Sequence, residues 1–188
     1  MNRLRLLPLL AAAAVLAATG LTGSVAVADT SASTSVPSQW SSTHRPAGSF
    51  VVTGAVVRHL RLDVADLRAL PSRTVAVTFQ ADSGVEHHVY VGPRLVDVLA
   101  KAGPQFDPTI KNDKLRYFVS VSASDGYRAL VAYSEIDPDL EAKNVLLATS
   151  EDGRSLDADG PRLVVPGDSH GGRYVTNVVR VFLDKPAR

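Results

Sequence analysis

Short Val- and Thr-rich runs, each cut off by Gly, Pro or an Asp-Gly pair, fill the sequence after residue 48. The runs are Ser49–Val56, Thr74–Phe79, Val85–Val91, Leu115–Ala123, Tyr127–Tyr133, Val145–Thr149, Arg162–Val165 and Val178–Leu183. β-branched residues between turn formers favour strands over helices. Only two stretches have helical periodicity. In LDVADLRALP, Asp63 can cap a helix with Val64, Leu67 and Leu70 as its apolar stripe, and Pro71 stops it. In the second, Pro93 stands at the start, Leu95, Val98, Leu99 and Ala102 repeat at helical spacing, and Gly103-Pro104 ends it. Asp125-Gly126 between two runs predicts a hairpin with a type I′ turn. Eight or nine strands with two short helices make a β-dominated α+β domain, not an alternating βαβ fold.

The N-terminal quarter has a different character. Residues 1–28 have the pattern of a secretory signal: Arg3 and Arg5, an apolar run from Leu6 to Ala18, then Ala26-Val27-Ala28 as a small-residue cleavage site. The apolar run is short for a membrane anchor, so no membrane attachment is expected after cleavage. Arg3 and Arg5 are separated by Leu4, so there is no twin-Arg pair, and export in the unfolded state is expected. Residues 29–47 are Ser/Thr-rich, with Pro37 and Pro46, and predict a flexible leader whose one large apolar group is Trp40. The domain itself is expected over 48–188. Removing Arg3 and Arg5 leaves 18 basic against 19 acidic residues, a net charge of −1. That balance argues against a nucleic-acid partner. The chain has no Cys. Disulfides, zinc–thiolate sites, iron–sulfur clusters, a lipid-bearing Cys and a Cys nucleophile are therefore excluded.

Two segments carry candidate chemistry. Gly160–Val175 runs from a strand through Pro166-Gly167 into a loop with Asp168, Ser169, His170, Gly171, Gly172 and Arg173. Glycine backbone N–H groups beside Arg162 and Arg173 suit a small anion, although the same pattern describes a tight turn. The other segment is the strand end Thr78–Asp82, where Gln80 can hydrogen-bond a ligand and Asp82 can pair with an Arg. His87 and His88 are adjacent in a predicted strand, so they point to opposite faces and cannot easily share an ion. Glu86 and His88 share a face, as a surface contact. No standard metal motif is present, and no metal ligands are assigned. Asp137, Asp139, Glu141, Glu151, Asp152, Asp157 and Asp159 lack calcium-loop spacing and predict a solvated acidic face. There is no Gly-x-Ser-x-Gly elbow.

The order of segments resembles a family. Thr78–Ala81 (TFQA), Val89–Gly103 (VYVGPRLVDVLAKAG), the Asp-Gly hairpin, Val145–Leu156 (VLLATSEDGRSL) and Gly160–Val175 (GPRLVVPG…GGRYV) look like the molybdopterin-binding oxidoreductase domain of the sulfite-oxidase type. The resemblance extends from about Gly48 to Leu183. It implies a mainly β domain with the pterin phosphate and molybdenum in a cleft. Arg162, Asp168, Ser169, His170, Gly171, Gly172 and Arg173 would border the pterin-phosphate loop, and Gln80 and Ala81 would lie at the metal. Molybdopterin is thus the cofactor implied by resemblance alone. Two positions depart from the family pattern. Ala81 stands where the family places the Cys thiolate ligand of molybdenum, and Thr176-Asn177 stands where it places Lys and an aromatic residue. The expectation is an exported domain without redox chemistry and with no assigned catalytic residue, keeping a cleft for a small anion. The alternatives are an active enzyme whose metal is held by the pterin dithiolene alone, with His170 or Asp168 assisting proton transfer, and a module that binds another exported protein.

Overall fold

The computed structural model describes residues 48–185. The predicted signal and leader lie outside the described residues. Among those described, no helix is long and apolar enough to cross a membrane. Among the described residues, eleven strands form three sheets. The largest is built from β1 (Phe50–Gly54), β2 (Leu60–Leu62), β5 (Phe118–Ala123), β6 (Arg128–Ala132) and β11 (Val178–Asp184), in the order β2-β1-β11-β5-β6. Its β1–β11 pair is parallel and its other pairs are antiparallel. β3 (Ser72–Ala81), β4 (Gly84–Pro93), β8 (Ser150–Glu151) and β9 (Arg154–Ser155) form an antiparallel sheet in that order. β7 (Leu146–Ala148) and β10 (Arg162–Val164) form a two-stranded sheet.

Three helices connect these strands, one more than the sequence predicts. α1 (Val64–Arg68) has the expected cap: Asp63 accepts the Asp66 N–H at 2.9 Å, and Asp66 accepts the Asp63 N–H in return. α2 (Leu95–Ala102) buries Leu95, Val98, Leu99 and Ala102 completely and ends at Gly103, with φ +74°. Pro93 closes β4 rather than opening α2, and Arg94 occupies the cap. The third, α3 (Tyr133–Ile136), is a single turn after β6. It was not legible because its buried pair, Tyr133 and Ile136, is too short to show a period.

The two Asp-Gly pairs differ. Asp152 and Gly153 both have positive φ (+50° and +80°), as a type I′ hairpin requires, and they join β8 to β9. At Asp125-Gly126 only Gly126 is positive. The Gly126 N–H donates to the Ala123 carbonyl and the Ala123 N–H to the Tyr127 carbonyl. That hairpin is a type I turn with a glycine bulge, not the predicted type I′ turn. The acidic segment is also not uniformly solvated. Asp137 is 2% exposed and bridges to Lys114 at 2.8 Å, and Glu151 is drawn inward.

One core packs α2 with the five-stranded sheet through Phe50, Leu99, Val121, Val181 and their neighbours. A second lies on the inner face of the β3–β4 hairpin, where Val77, Phe79 and Tyr90 meet Leu146, Val164 and Tyr174. The alternation along β3 explains it: Val77 and Phe79 are buried while Ala76, Thr78 and Gln80 are exposed. The two regions approach closely at Gly92, where a Cβ would lie 2.3 Å from the Leu147 carbonyl oxygen and 2.7 Å from Ala148 Cα. Both neighbours are backbone and cannot swing away. Gly92→Ala is expected to destabilise the fold by about 1–3 kcal/mol, measured as a lower urea midpoint at unchanged slope.

Candidate functional site

The two candidate segments meet. The Gln80 N–H donates to the Ser169 carbonyl at 2.9 Å, and Gln80 forms a parallel bridge with His170. The end of β3 thereby docks on the loop after β10. A cleft of about 600 Å³ opens between them. Gln80, Ala81, Arg162, His170, Gly171 and Gly172 line it, joined by Phe79, Asp82 and Glu86. A second cleft of about 430 Å³ shares Arg162 and includes Glu151, Arg154, Thr176 and Asn177.

Of the loop glycines, Gly171 has a packing role, whereas a Cβ at Gly172 would meet open space. Gly171 begins a 3-10 turn, Gly171–Arg173, and a Cβ there would sit 2.9 Å from Cε2 of Phe79. That ring stacks on Tyr174, with centroids 4.4 Å apart. Neither Gly171 nor Gly172 has the positive φ of an anion-cradling nest. The Gly172 carbonyl accepts the Tyr127 hydroxyl.

Both arginines are paired with carboxylates, although the Arg162 Nε is buried with no hydrogen-bond partner. Arg173 donates to both oxygens of Asp168 at 2.6 and 2.7 Å and, through Nη1, to Glu135 at 3.1 and 3.2 Å. These bonds, that to Asp168 foremost, raise the Arg173 pKa further. Burial alone would push Glu135 up, but the Ala132 N–H and Arg173 hold it below the usual range. Arg173, Asp168 and Ser169 do not line the 600 Å³ cleft. Arg162 does line it, and its Nη1 donates to both oxygens of Glu151 at 2.7 and 2.9 Å. Asp82, Glu86 and Arg162 are therefore the formally charged groups of the lining, two carboxylates against one guanidinium.

The sequence reading missed a network on the β4–β8 side. The two adjacent histidines do face opposite ways: His87 contacts the Thr78 hydroxyl, and His88 points to the acidic hairpin. His88 Nδ1 lies 2.7 Å from Asp152 and 3.5 Å from Glu151, and its Nε2 lies 3.3 Å from Glu86. Tyr90 donates its hydroxyl to Glu151 at 2.8 Å, and the Arg162 guanidinium lies over the Tyr90 ring. Glu86 was recognised as a neighbour of His88, but Glu151 and Asp152 come from 63 or more residues away. Only the pairing of Tyr90 with Glu151 brings them in, and no local pattern encodes it.

The Asp152 carboxylate raises the His88 pKa against an opposing burial effect, and Glu86 and Glu151 add to the rise. Glu86 in turn is lowered, chiefly by the Ser83 hydroxyl and then by His88. Since the folded pKa is raised, the stabilisation from His88 is complete below about pH 6.5, its unfolded value. It fades as pH rises through the folded value. In the presence of a chelator, the melting-temperature gap between the wild-type chain and His88→Gln is expected to narrow from pH 6 to pH 9. A gap independent of pH would contradict this.

Comparisons with known proteins agree with this architecture. Residues 33–184 match the model of the family described as the oxidoreductase molybdopterin binding domain. Among solved structures, the chain is similar to the sulfane dehydrogenase SoxCD from Paracoccus pantotrophus, with a TM-score of 0.59 and 22% identity. That match covers 74% of this chain and 38% of the other, so the chain spans well under half the length of that protein. No curated protein sequence matches. The β-dominated sheets, the three short helices and the family match place this chain in the oxidoreductase molybdopterin-binding domain family, with the sulfite-oxidase-type fold.

Proposed function

We propose that this chain is an exported, redox-silent member of its family, one that keeps the scaffold and cleft but takes up no molybdenum. The observation that carries the reading is chemical. The chain contains no thiol, and the cleft presents Ala81 at the end of β3, where the family resemblance places a thiolate donor. A methyl group cannot ligate a metal, and no other residue of the chain supplies soft sulfur of that kind.

The remaining donors fit the molybdenum cofactor poorly as well. A pterin phosphate needs uncommitted cations. Arg173 is taken by Asp168 and Glu135, and Arg162 by Glu151. Asp82 and Glu86 add negative charge to the same lining. Export as an unfolded chain, which the N-terminal sequence favours, is consistent with arrival without a preloaded cofactor. What the cleft retains is a limited site for a small anion at His170 and the outer edge of Arg162.

Metal analysis of protein purified from its native host tests the main claim. Molybdenum well below one atom per ten chains, with no extractable pterin, is expected; near-stoichiometric molybdenum would refute it. For the small-anion site, millimolar sulfate is expected to raise the melting temperature of the wild-type chain but not that of His170→Ala. Equal shifts in both would remove His170 from the site.

A further inference from the structure

The junction of β4 with the β8–β9 hairpin collects three metal-ligating atoms outside the cleft's Gln80–His170 contact. His88, Glu151 and Asp152 each offer one ligand atom, and these atoms lie within 4.8 Å of one another. The Nδ1 atom is 2.7 Å from the Asp152 oxygen and 3.5 Å from the Glu151 oxygen. Ligands about 2.0–2.2 Å from a tetrahedral zinc ion are themselves roughly 3.3 Å apart. The two contacts of His88 are therefore near ligand spacing, and the one to Asp152 must open by about half an ångström. We propose that His88, Glu151 and Asp152 form a site for a divalent cation of the zinc class, with its fourth position open to solvent beside Asp152.

Three features of the surroundings support the assignment. Each ligand has an outer partner of the kind that orients metal ligands. Glu86 stands at His88 Nε2 and can hold a proton there once an ion displaces the Nδ1 proton that Asp152 accepts in the metal-free chain. Tyr90 and Arg162 both donate to Glu151 Oε1, and the further Arg162 Nη1 bond to Oε2 leaves that carboxylate anchored when Oε1 exchanges its donors for an ion. The Val89 N–H holds Asp152 through Oδ1, at 2.7 Å, so that Oδ2 is the atom aimed at His88. The charges also match. With the imidazole neutral, Glu86, Glu151 and Asp152 exceed Arg162 by two negative charges, which a divalent cation cancels. The ligand types select the metal: one imidazole nitrogen and two carboxylates suit zinc and its neighbours better than magnesium or calcium, which prefer all-oxygen shells.

The site uses neither Ala81 nor the Arg173 pairs, so its failure leaves the redox-silent reading intact, and the reverse also holds. The test is calorimetric titration of Zn²⁺ into tag-free, chelator-treated protein, with Mg²⁺ as the control. One Zn²⁺ per chain is expected, with no Mg²⁺ binding at the same concentration. Asp152→Asn keeps an acceptor for the Val89 N–H, and Asn tolerates the positive φ there, so the hairpin is preserved. It is expected to weaken Zn²⁺ binding roughly tenfold or more, with the metal-free variant still unfolding in one cooperative transition. His88→Gln is expected to abolish the binding. In the wild-type chain, the ¹⁵N signal of His88 Nδ1 should move on saturation, which a purely structural role for the cluster would not produce. Absence of saturable Zn²⁺ binding, or wild-type affinity in both variants, would overturn the proposal.

Discussion

The two-oxygen contact between Arg162 and Glu151 joins most of the features described above. It ties β10 to β8, two short strands in different sheets, at a point where neither has a long ladder to hold it. Arg162 lines both clefts, lies over Tyr90 and fixes Glu151. Glu151 takes the Tyr90 hydroxyl and faces His88. A charge-assisted pair of this kind, little exposed on both sides, is costly to break by removing one partner, since the other is left with an uncompensated charge. The same contact accounts for the electrostatic character of the cleft, because a guanidinium held by a carboxylate has less to offer an incoming anion.

The proposed loss of redox chemistry rests on side-chain pairings as well as on the absence of a thiol. A glycine that could help cradle a phosphate instead makes room for an aromatic stack: Gly171 lies against Phe79, and Phe79 against Tyr174. An arginine that could meet a ligand is clasped from two sides by Asp168 and Glu135. Scaffold and ligand set are separable in this fold. The backbone path of the loop after β10 is kept by its docking on β3, whatever the side chains around it bind.

What the sequence made legible was what local physics determines. The caps and stripes of α1 and α2 were readable because their apolar positions repeat and their ends carry Asp63 and Gly103. The long strands β3 and β4 were readable from their β-branched runs and the turn at Asp82-Ser83. Two-residue strands β8 and β9 were not, because nothing distinguishes Ser150-Glu151 from a loop until β4 pairs with it. The same limit applied to the site. Gln80, Ala81 and His170 could be singled out as segments, and the structure does bring them to one cleft. That Arg173 faces Glu135 depends on α3, whose single turn leaves no periodic trace. The His88 network depends on a register between strands some 60 residues apart, which hydrophobic patterning does not specify.

The parallel pairing of β1 with β11 sets the order of assembly. Val51 lies opposite Arg180, so the neighbours that meet in the middle of the largest sheet are roughly 130 residues apart along the chain. During N-to-C synthesis β1 and β5 are both made long before the strand that belongs between them, and the sheet has a gap at its centre until β11 arrives. Loop-closure entropy makes so distant a contact slow to form. A nascent chain with this topology cannot complete its principal core until β11 has been made, so the largest sheet closes late however early its other strands have paired.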